Sequence, residues 1–227
     1  MSAGGTILAV RPEPGLSVTL ALAKGMGLNA LGHPLFEIRP REWTVPDAGG
    51  FDGLLIGSAN ALRHGGDALG NLVHLPVYAV GRATAEAARA AGFTVAASGT
   101  GGLQAVLDGI EGPARLLRLA GAEHVPLVSP AGMTIEERIT YQAVPLELPE
   151  PLRALDTLAL TVLLHSAAAA TRFAGESARL AWRRNAIALA CIGPRVAAAA
   201  GDGWRAVHVA PRPDDRALLE MVRAQCI

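Results

Sequence analysis

The sequence predicts an α/β protein built from two similar units, each with a parallel sheet. Three observations lead there. Short apolar runs alternate with alanine-rich stretches of helical character. The runs are apolar at consecutive positions, as strands covered on both faces are. One unit also occurs twice: "VYAVGRATAEAARAAGFTV" (Val77–Val95) returns as "LACIGPRVAAAAGDGWRAV" (Leu189–Val207), each a strand, a glycine, a helix, a glycine and a strand.

Taken in order, Ile7–Val10, Leu54–Ile56, Val77–Val80, Leu116–Leu119, Thr161–Leu164, Ala188–Ile192 and Val207–Val209 are expected as buried strands. Leu16–Lys24, Thr84–Ala91, Leu103–Leu107, Ala167–Phe173, Val196–Ala200 and Ala217–Arg223 are expected as the helices between them. Leu35–Ile38 and Val144–Leu148 alternate apolar with polar residues between prolines, which suits a two-stranded ribbon exposed between domains.

The duplication reaches further. "LLIGSANAL" (Leu54–Leu62) parallels "VLLHSAAAA" (Val162–Ala170), and "ILAVRP" (Ile7–Pro12) parallels "RLLRLAG" (Arg115–Gly121). "HPLFEIRP" (His33–Pro40) parallels "AVPLELPEP" (Ala143–Pro151). Four matches, each displaced by close to half the chain, imply an internal repeat whose period suits paired domains rather than a solenoid.

Composition narrows the function. With 227 residues, 51% apolar and 18% charged, the chain can bury a substantial core. The formal net charge is zero, which gives no support for nucleic acid or an anionic membrane as partner. The N-terminus lacks the signature of a signal peptide, and Leu155–Leu164 is too short to span a bilayer, so a cytoplasmic protein is expected. Cys191 and Cys226 match no metal spacing and the histidines are scattered, so no metal is expected. "GMGLNALG" (Gly25–Gly32) follows a helix rather than a strand, the wrong context for a dinucleotide fingerprint, and no P-loop is present.

In open parallel sheets, ligands gather beyond the carboxyl ends of the strands. Gly81 and Gly193 occupy such ends, where backbone amides and helix N-termini can approach an anion. Ser58 and Ser166 hold the matching place after a neighbouring strand; Arg11 and Arg118 hold it after the first strand of each unit. Each has a plain structural alternative: turn glycine, N-cap serine, or arginine paired internally with an acid such as Glu13 or Glu123. His165 adjoins Ser166, but adjacent strand residues face opposite ways, so a nucleophile–base hydrogen bond between them is not expected. Tyr141 lies just before a connecting segment.

The ordered pieces "VRP" (Val10–Pro12), "GSANAL" (Gly57–Leu62), "AVGRATAEAARAAG" (Ala79–Gly92), "LLRLAG" (Leu116–Gly121), "ITYQ" (Ile139–Gln142), "HSAAA" (His165–Ala169), "CIGPRVAAA" (Cys191–Ala199) and "APRPDDRALL" (Ala210–Leu219) resemble the uroporphyrinogen-III synthase family. The resemblance implies two flavodoxin-like parallel-sheet domains joined by a two-stranded β ladder, with the active site in the cleft between them. It implies interlacing as well: residues 1–38 with 149–227 as one domain, 41–141 as the other, and linkers at 34–40 and 142–149.

The implied reaction converts hydroxymethylbilane to uroporphyrinogen III, with loss of water and inversion of the last pyrrole ring through a spiro-pyrrolenine. It needs no cofactor. The resemblance implies a monomer with a tetrapyrrole substrate and at most transient contact with the preceding pathway enzyme. By the same resemblance Tyr141 assists departure of the hydroxyl. Arg11, Pro12, Ser58, Ala59, Asn60, Gly81, Arg82, Thr84, Arg118, Ser166, Ala167, Gly193 and Arg195 are the implied substrate-binding positions. Gly57, His165 and Val196 stand where the family has threonine, and Leu119 where it has glycine. A noncatalytic tetrapyrrole- or anion-binding relative is the alternative.

Overall fold

The structure, a computed structural model, describes residues 5–157 and 159–225. Its strands are β1 (Thr6–Ala9), β2 (Ala30–Gly32), β3 (Phe36–Pro40), β4 (Gly53–Ile56), β5 (Val77–Val80), β6 (Val95–Gly99), β7 (Ala114–Gly121), β8 (Met133–Pro145), β9 (Leu160–Leu164), β10 (Ala188–Cys191) and β11 (Ala206–Val209). The α-helices are α1 (Gly15–Gly25), α2 (Ala59–Arg63), α3 (Gly81–Ala90), α4 (Leu103–Asp108), α5 (Ala167–Arg179), α6 (Pro194–Ala200) and α7 (Asp215–Gln225). Cys226, considered in the sequence, lies outside the described residues. Among the described residues no helix is long and apolar enough to cross a membrane, and no cluster of side chains could hold a metal ion.

The chain divides into two compact units: Met1–Glu37 with Val144–Ile227, and Ile38–Ala143. The first sheet has the order β11-β10-β9-β1-β2, all parallel. The second has the order β3-β8-β7-β4-β5-β6, parallel from β8 to β6. Set side by side, β6-β5-β4-β7-β8 and β11-β10-β9-β1-β2 are the same arrangement. The "ILAVRP" and "RLLRLAG" strands hold equivalent central places, so the internal repeat is expressed as topology.

The continuous apolar runs have a direct cause. Side chains alternate across a strand, and both faces of each sheet are covered. In the first unit, Leu8, Val10, Val162, Leu164, Leu189 and Cys191 pack on one face with Phe173 of α5 and Val196 of α6. Ile7, Ala9, Leu163 and Ala190 point the other way, against Leu16 of α1 and Leu218, Leu219 and Val222 of α7. The second unit does the same. Leu54, Ile56, Val77, Leu117 and Leu119 meet Ala61 of α2 and Ala85 and Ala88 of α3. Leu55 and Leu116 face Leu107 of α4.

The expected ribbon is displaced. The chain leaves the first unit within β3 and returns within β8, and these strands are neighbours. Leu146 N–H donates to Leu35 O (2.8 Å) and Arg41 N–H to Thr140 O (2.9 Å), so they run antiparallel. β8 begins at Met133 and stops at Pro145. Leu35 and Leu148, expected on an exposed ribbon, are 0% and 1% exposed and belong to the core of the first unit. The alternation was real, but its apolar residues Leu35 and Leu148 are buried, while Ile38, Val144 and Leu146 are partly so. The strand expected at the end of the first repeated unit is present as β6, which starts at Val95 and runs on to Gly99, whereas β2 and most of β8 lack a strong apolar run and were not expected as strands.

Candidate active site

Each sheet has one point where the chain reverses its direction of winding, and there the neighbouring strands lead away to opposite sides. Such a crevice, at the carboxyl ends of the strands, is the natural ligand site of an open parallel sheet. In the first unit it lies between β1 and β9; in the second, between β4 and β7.

At the first crevice Arg11 follows β1 and His165 follows β9, while Asp215 opens α7. Arg11 Nη1 donates to Asp215 Oδ1 (3.0 Å) and Oδ2 (2.9 Å). Thr19 Oγ1 donates to Oδ2 (2.8 Å), and His165 Nε2 donates to Oδ1 (2.9 Å). Burial pushes the Asp215 carboxyl up, but the bonds from His165 and Thr19 and the charge of Arg11 outweigh it and hold the group below the usual range. The partner of Arg11 is therefore Asp215, 204 residues away in sequence, and not Glu13. Glu13 instead accepts from Ser17 N–H (3.0 Å) and Ser17 Oγ (2.8 Å) in the first turn of α1. His165 bonds Asp215 and makes no bond to Ser166.

Ser166 is the N-cap of α5, its Oγ accepting from Ala169 N–H at 3.1 Å, and Ala167 begins that helix. Pro12 O accepts from Leu16 N–H (3.2 Å) at the start of α1. Gly193 caps α6 at φ −171°, extended backbone open to any residue. Arg195 is exposed and has no side-chain partner among the described residues.

At the second crevice Ser58 caps α2, its Oγ accepting from Asn60 N–H at 3.2 Å; Ala59 is buried and Asn60 Oδ1 accepts from Arg63 Nη1 (3.4 Å). Gly81 starts α3 at φ +75°, a left-handed conformation that favours glycine. Arg82 is exposed, 3.6 Å from Glu86. Thr84 is buried on the inner face of α3.

Arg118 departs from expectation. It sits inside β7, opposite Leu55, rather than at the strand end. Its side chain is 5% exposed; Nη1 donates to Glu137 Oε1 (2.6 Å) and Nη2 to Val125 O (2.7 Å), so the internal acid is Glu137 and not Glu123. The repeat equates Arg11 and Arg118 by motif, but β7 continues three residues past Arg118 and encloses it.

Tyr141 gains a defined setting. The β7–β8 register runs Ala120 opposite Ile139, then Gly121 opposite Tyr141, so an extra residue enters β8 at this point. Such an irregularity re-aims a side chain. It lays the tyrosine across Gly121, where any Cβ would fall 2.6 Å from Cζ and 2.9 Å from Oη. The ring rests partly buried on the second unit's core, 6.4 Å from the His64 ring. His64 in turn lines a cavity of about 750 Å³ with Arg41, Trp43 and Asp67. Burial, then the charge of Arg63, lowers the His64 pKa and favours neutral imidazole. Sequence reasoning missed Gly121, His64, Thr19 and Asp215. Only the "ITYQ" and "APRPDDRALL" segments hinted at two of these neighbourhoods.

The comparisons agree with this architecture. A family model described as HEM4, uroporphyrinogen-III synthase HemD, matches residues 17–220. A crystal structure of uroporphyrinogen-III synthetase from Helicobacter pylori aligns at TM-score 0.65 and 18% identity, covering 97% of this chain and 99% of that one. A mutant uroporphyrinogen III synthase from Thermus thermophilus aligns at TM-score 0.54 and 20% identity, over 96% and 98% of the two chains. At such identities these two structures speak to the fold, and no curated protein matches the chain. A repeated parallel sheet, both crevices and a family model spanning nearly the whole length lead to one conclusion: the chain belongs to the uroporphyrinogen-III synthase family, the cyclising lyases of haem biosynthesis.

Proposed function

We propose that this chain converts hydroxymethylbilane to uroporphyrinogen III, binding it at the strand ends of its sheets with no metal or cofactor. The family match over residues 17–220 is the observation that carries this reading. The substrate closes without inversion when left alone, so the enzyme's work is chiefly conformational. It must hold a flexible polyanion so that the substituted carbon of the last pyrrole, rather than its free one, attacks the cationic carbon left by loss of the hydroxyl.

The residues at hand suit that task. Arg11 and Arg195 offer cationic donors, and α1, α3 and α5 offer N-terminal amides, for acetate and propionate groups. Ser58 and Ser166 hold the starts of α2 and α5 in place. Arg118 acts from within, fixing β7 to β8 through Glu137. Tyr141 donates its phenolic hydrogen bond to the departing hydroxyl, which leaves as water once protonated. The bond from the spiro carbon to its original methylene then breaks, the freed methylene carbon recloses on the free carbon of the same ring, and that carbon loses a proton as aromaticity returns.

The test is isomer analysis. Purified protein given freshly made hydroxymethylbilane should yield the type III isomer at a rate exceeding spontaneous closure. Product that is type I alone refutes the assignment.

A further inference from the structure

We infer that Asp215 and Gly15 are positioning residues that present one edge of Arg11 to a substrate carboxylate. The inference rests on the function proposed above and names a device within that site. Asp215 takes both of its contacts from a single nitrogen, Nη1, at 3.0 and 2.9 Å. That leaves Nε and Nη2 without a partner among the described residues, on a side chain that is 29% exposed. Those two nitrogens form the edge of guanidinium that matches a carboxylate with two parallel hydrogen bonds.

Gly15 bears on the group as well. A Cβ on Gly15 would fall 2.4 Å from Nε, 2.6 Å from Cζ and 2.7 Å from Nη2, so the guanidinium occupies the space that a side chain on the first residue of α1 would fill, and alanine there would push it aside. Asp215 is itself held by Thr19 and by His165, and its side chain is 16% exposed. Arg11 is thus held at one nitrogen, beside the bare backbone of Gly15, with its fork unused. A plain structural ion pair needs neither the glycine nor the free fork. The class of ligand is a carboxylate of the tetrapyrrole, and preorganisation is what the two supports supply.

The experiment measures KM and kcat for hydroxymethylbilane in folded Arg11→Lys, Gly15→Ala, Asp215→Asn and the Arg11→Lys/Asp215→Asn double variant. Arg11→Lys keeps the charge and loses the fork, and should raise KM about 10- to 100-fold with kcat nearly unchanged. Gly15→Ala leaves every polar group in place and should raise KM to a similar degree. Asp215→Asn should raise KM about tenfold alone and add nothing in the Arg11→Lys background, because its effect passes through Arg11. Additive effects in the double variant, or wild-type KM in Gly15→Ala, overturn the inference. So does an unchanged KM in Arg11→Lys while the wild type still makes the type III isomer, an outcome that leaves the parent function standing. Should Asp215→Asn fail to fold, Gly15→Ala decides alone.

Discussion

Replacing Gly121 by alanine separates the placing of Tyr141 from its chemistry. The new methyl carbon would stand 2.6 Å from Tyr141 Cζ, 2.7 Å from Cε2 and 2.9 Å from Oη. Carbon atoms rest at about 3.5–4.0 Å, so the ring must retreat by roughly 1 Å. A displacement of that size at a reacting group costs on the order of 100-fold in rate, or about 2.7 kcal/mol of transition-state stabilisation. The accompanying overpacking costs about 1–3 kcal/mol of fold stability. The assay is the initial rate of type III isomer formation at saturating substrate, beside a thermal melt showing that the variant is folded. Tyr141→Phe, which keeps the ring and loses the hydroxyl, should slow kcat by about 100-fold as well. Combining Gly121→Ala with Tyr141→Phe should then slow kcat no further than Tyr141→Phe alone. A folded Gly121→Ala protein with wild-type kcat would falsify the placement argument, and a multiplicative double variant would show that Gly121 acts on something other than the hydroxyl.

Other expectations follow from the same structure. Phe173 is fully buried and packs against Trp182 and Trp204 at ring distances of 5.8 and 5.6 Å, so Phe173→Ala should lose about 3–5 kcal/mol in denaturant unfolding; a loss below about 1 kcal/mol contradicts that packing. Glu176 is buried on α5, where it accepts from Leu148 N–H (2.7 Å) and from Arg179 Nη2 (2.8 Å). Burial raises its pKa, but those bonds and the charges of Arg179 and Arg172 outweigh it and leave the folded value below the ordinary one. Its stabilisation is therefore complete above the ordinary glutamate range and disappears as pH falls through the lowered value. Glu176→Gln should cost about 3 kcal/mol at neutral pH and progressively less below pH ~4; a gap that widens in acid contradicts the sign. Burial pushes the Cys191 thiol up to about 11, so a thiol reagent should label this position only after denaturation, as peptide mapping of labelled protein will reveal.

How much of this was legible beforehand differs from element to element. Ile7–Val10, Leu54–Ile56 and Ala188–Ile192 were legible as strands because a strand covered on two faces must be apolar at every position, and that pattern is local. Leu16–Lys24 and Ala217–Arg223 were legible as helices for the same kind of reason. The repeat was legible because duplicated units keep their order of strand, glycine and helix. Ser58 and Ser166 could be named as caps because capping is decided within a few residues.

The sequence by itself determined the class of each element, the presence of two like units and, through ordered motif matches, the family. Tertiary structure alone decided which charges meet. Arg11 finds Asp215 across 204 residues because β1 and α7 converge at one crevice, and no spacing rule spans such a gap. It also decided that Arg118 is enclosed and that Leu35 and Leu148 are buried. The displaced β7–β8 register that turns Tyr141 onto Gly121 likewise arises only once the strands have paired. Local periodicity reports how a segment is covered; the identity of its neighbours depends on strand order, which is settled when the sheets assemble.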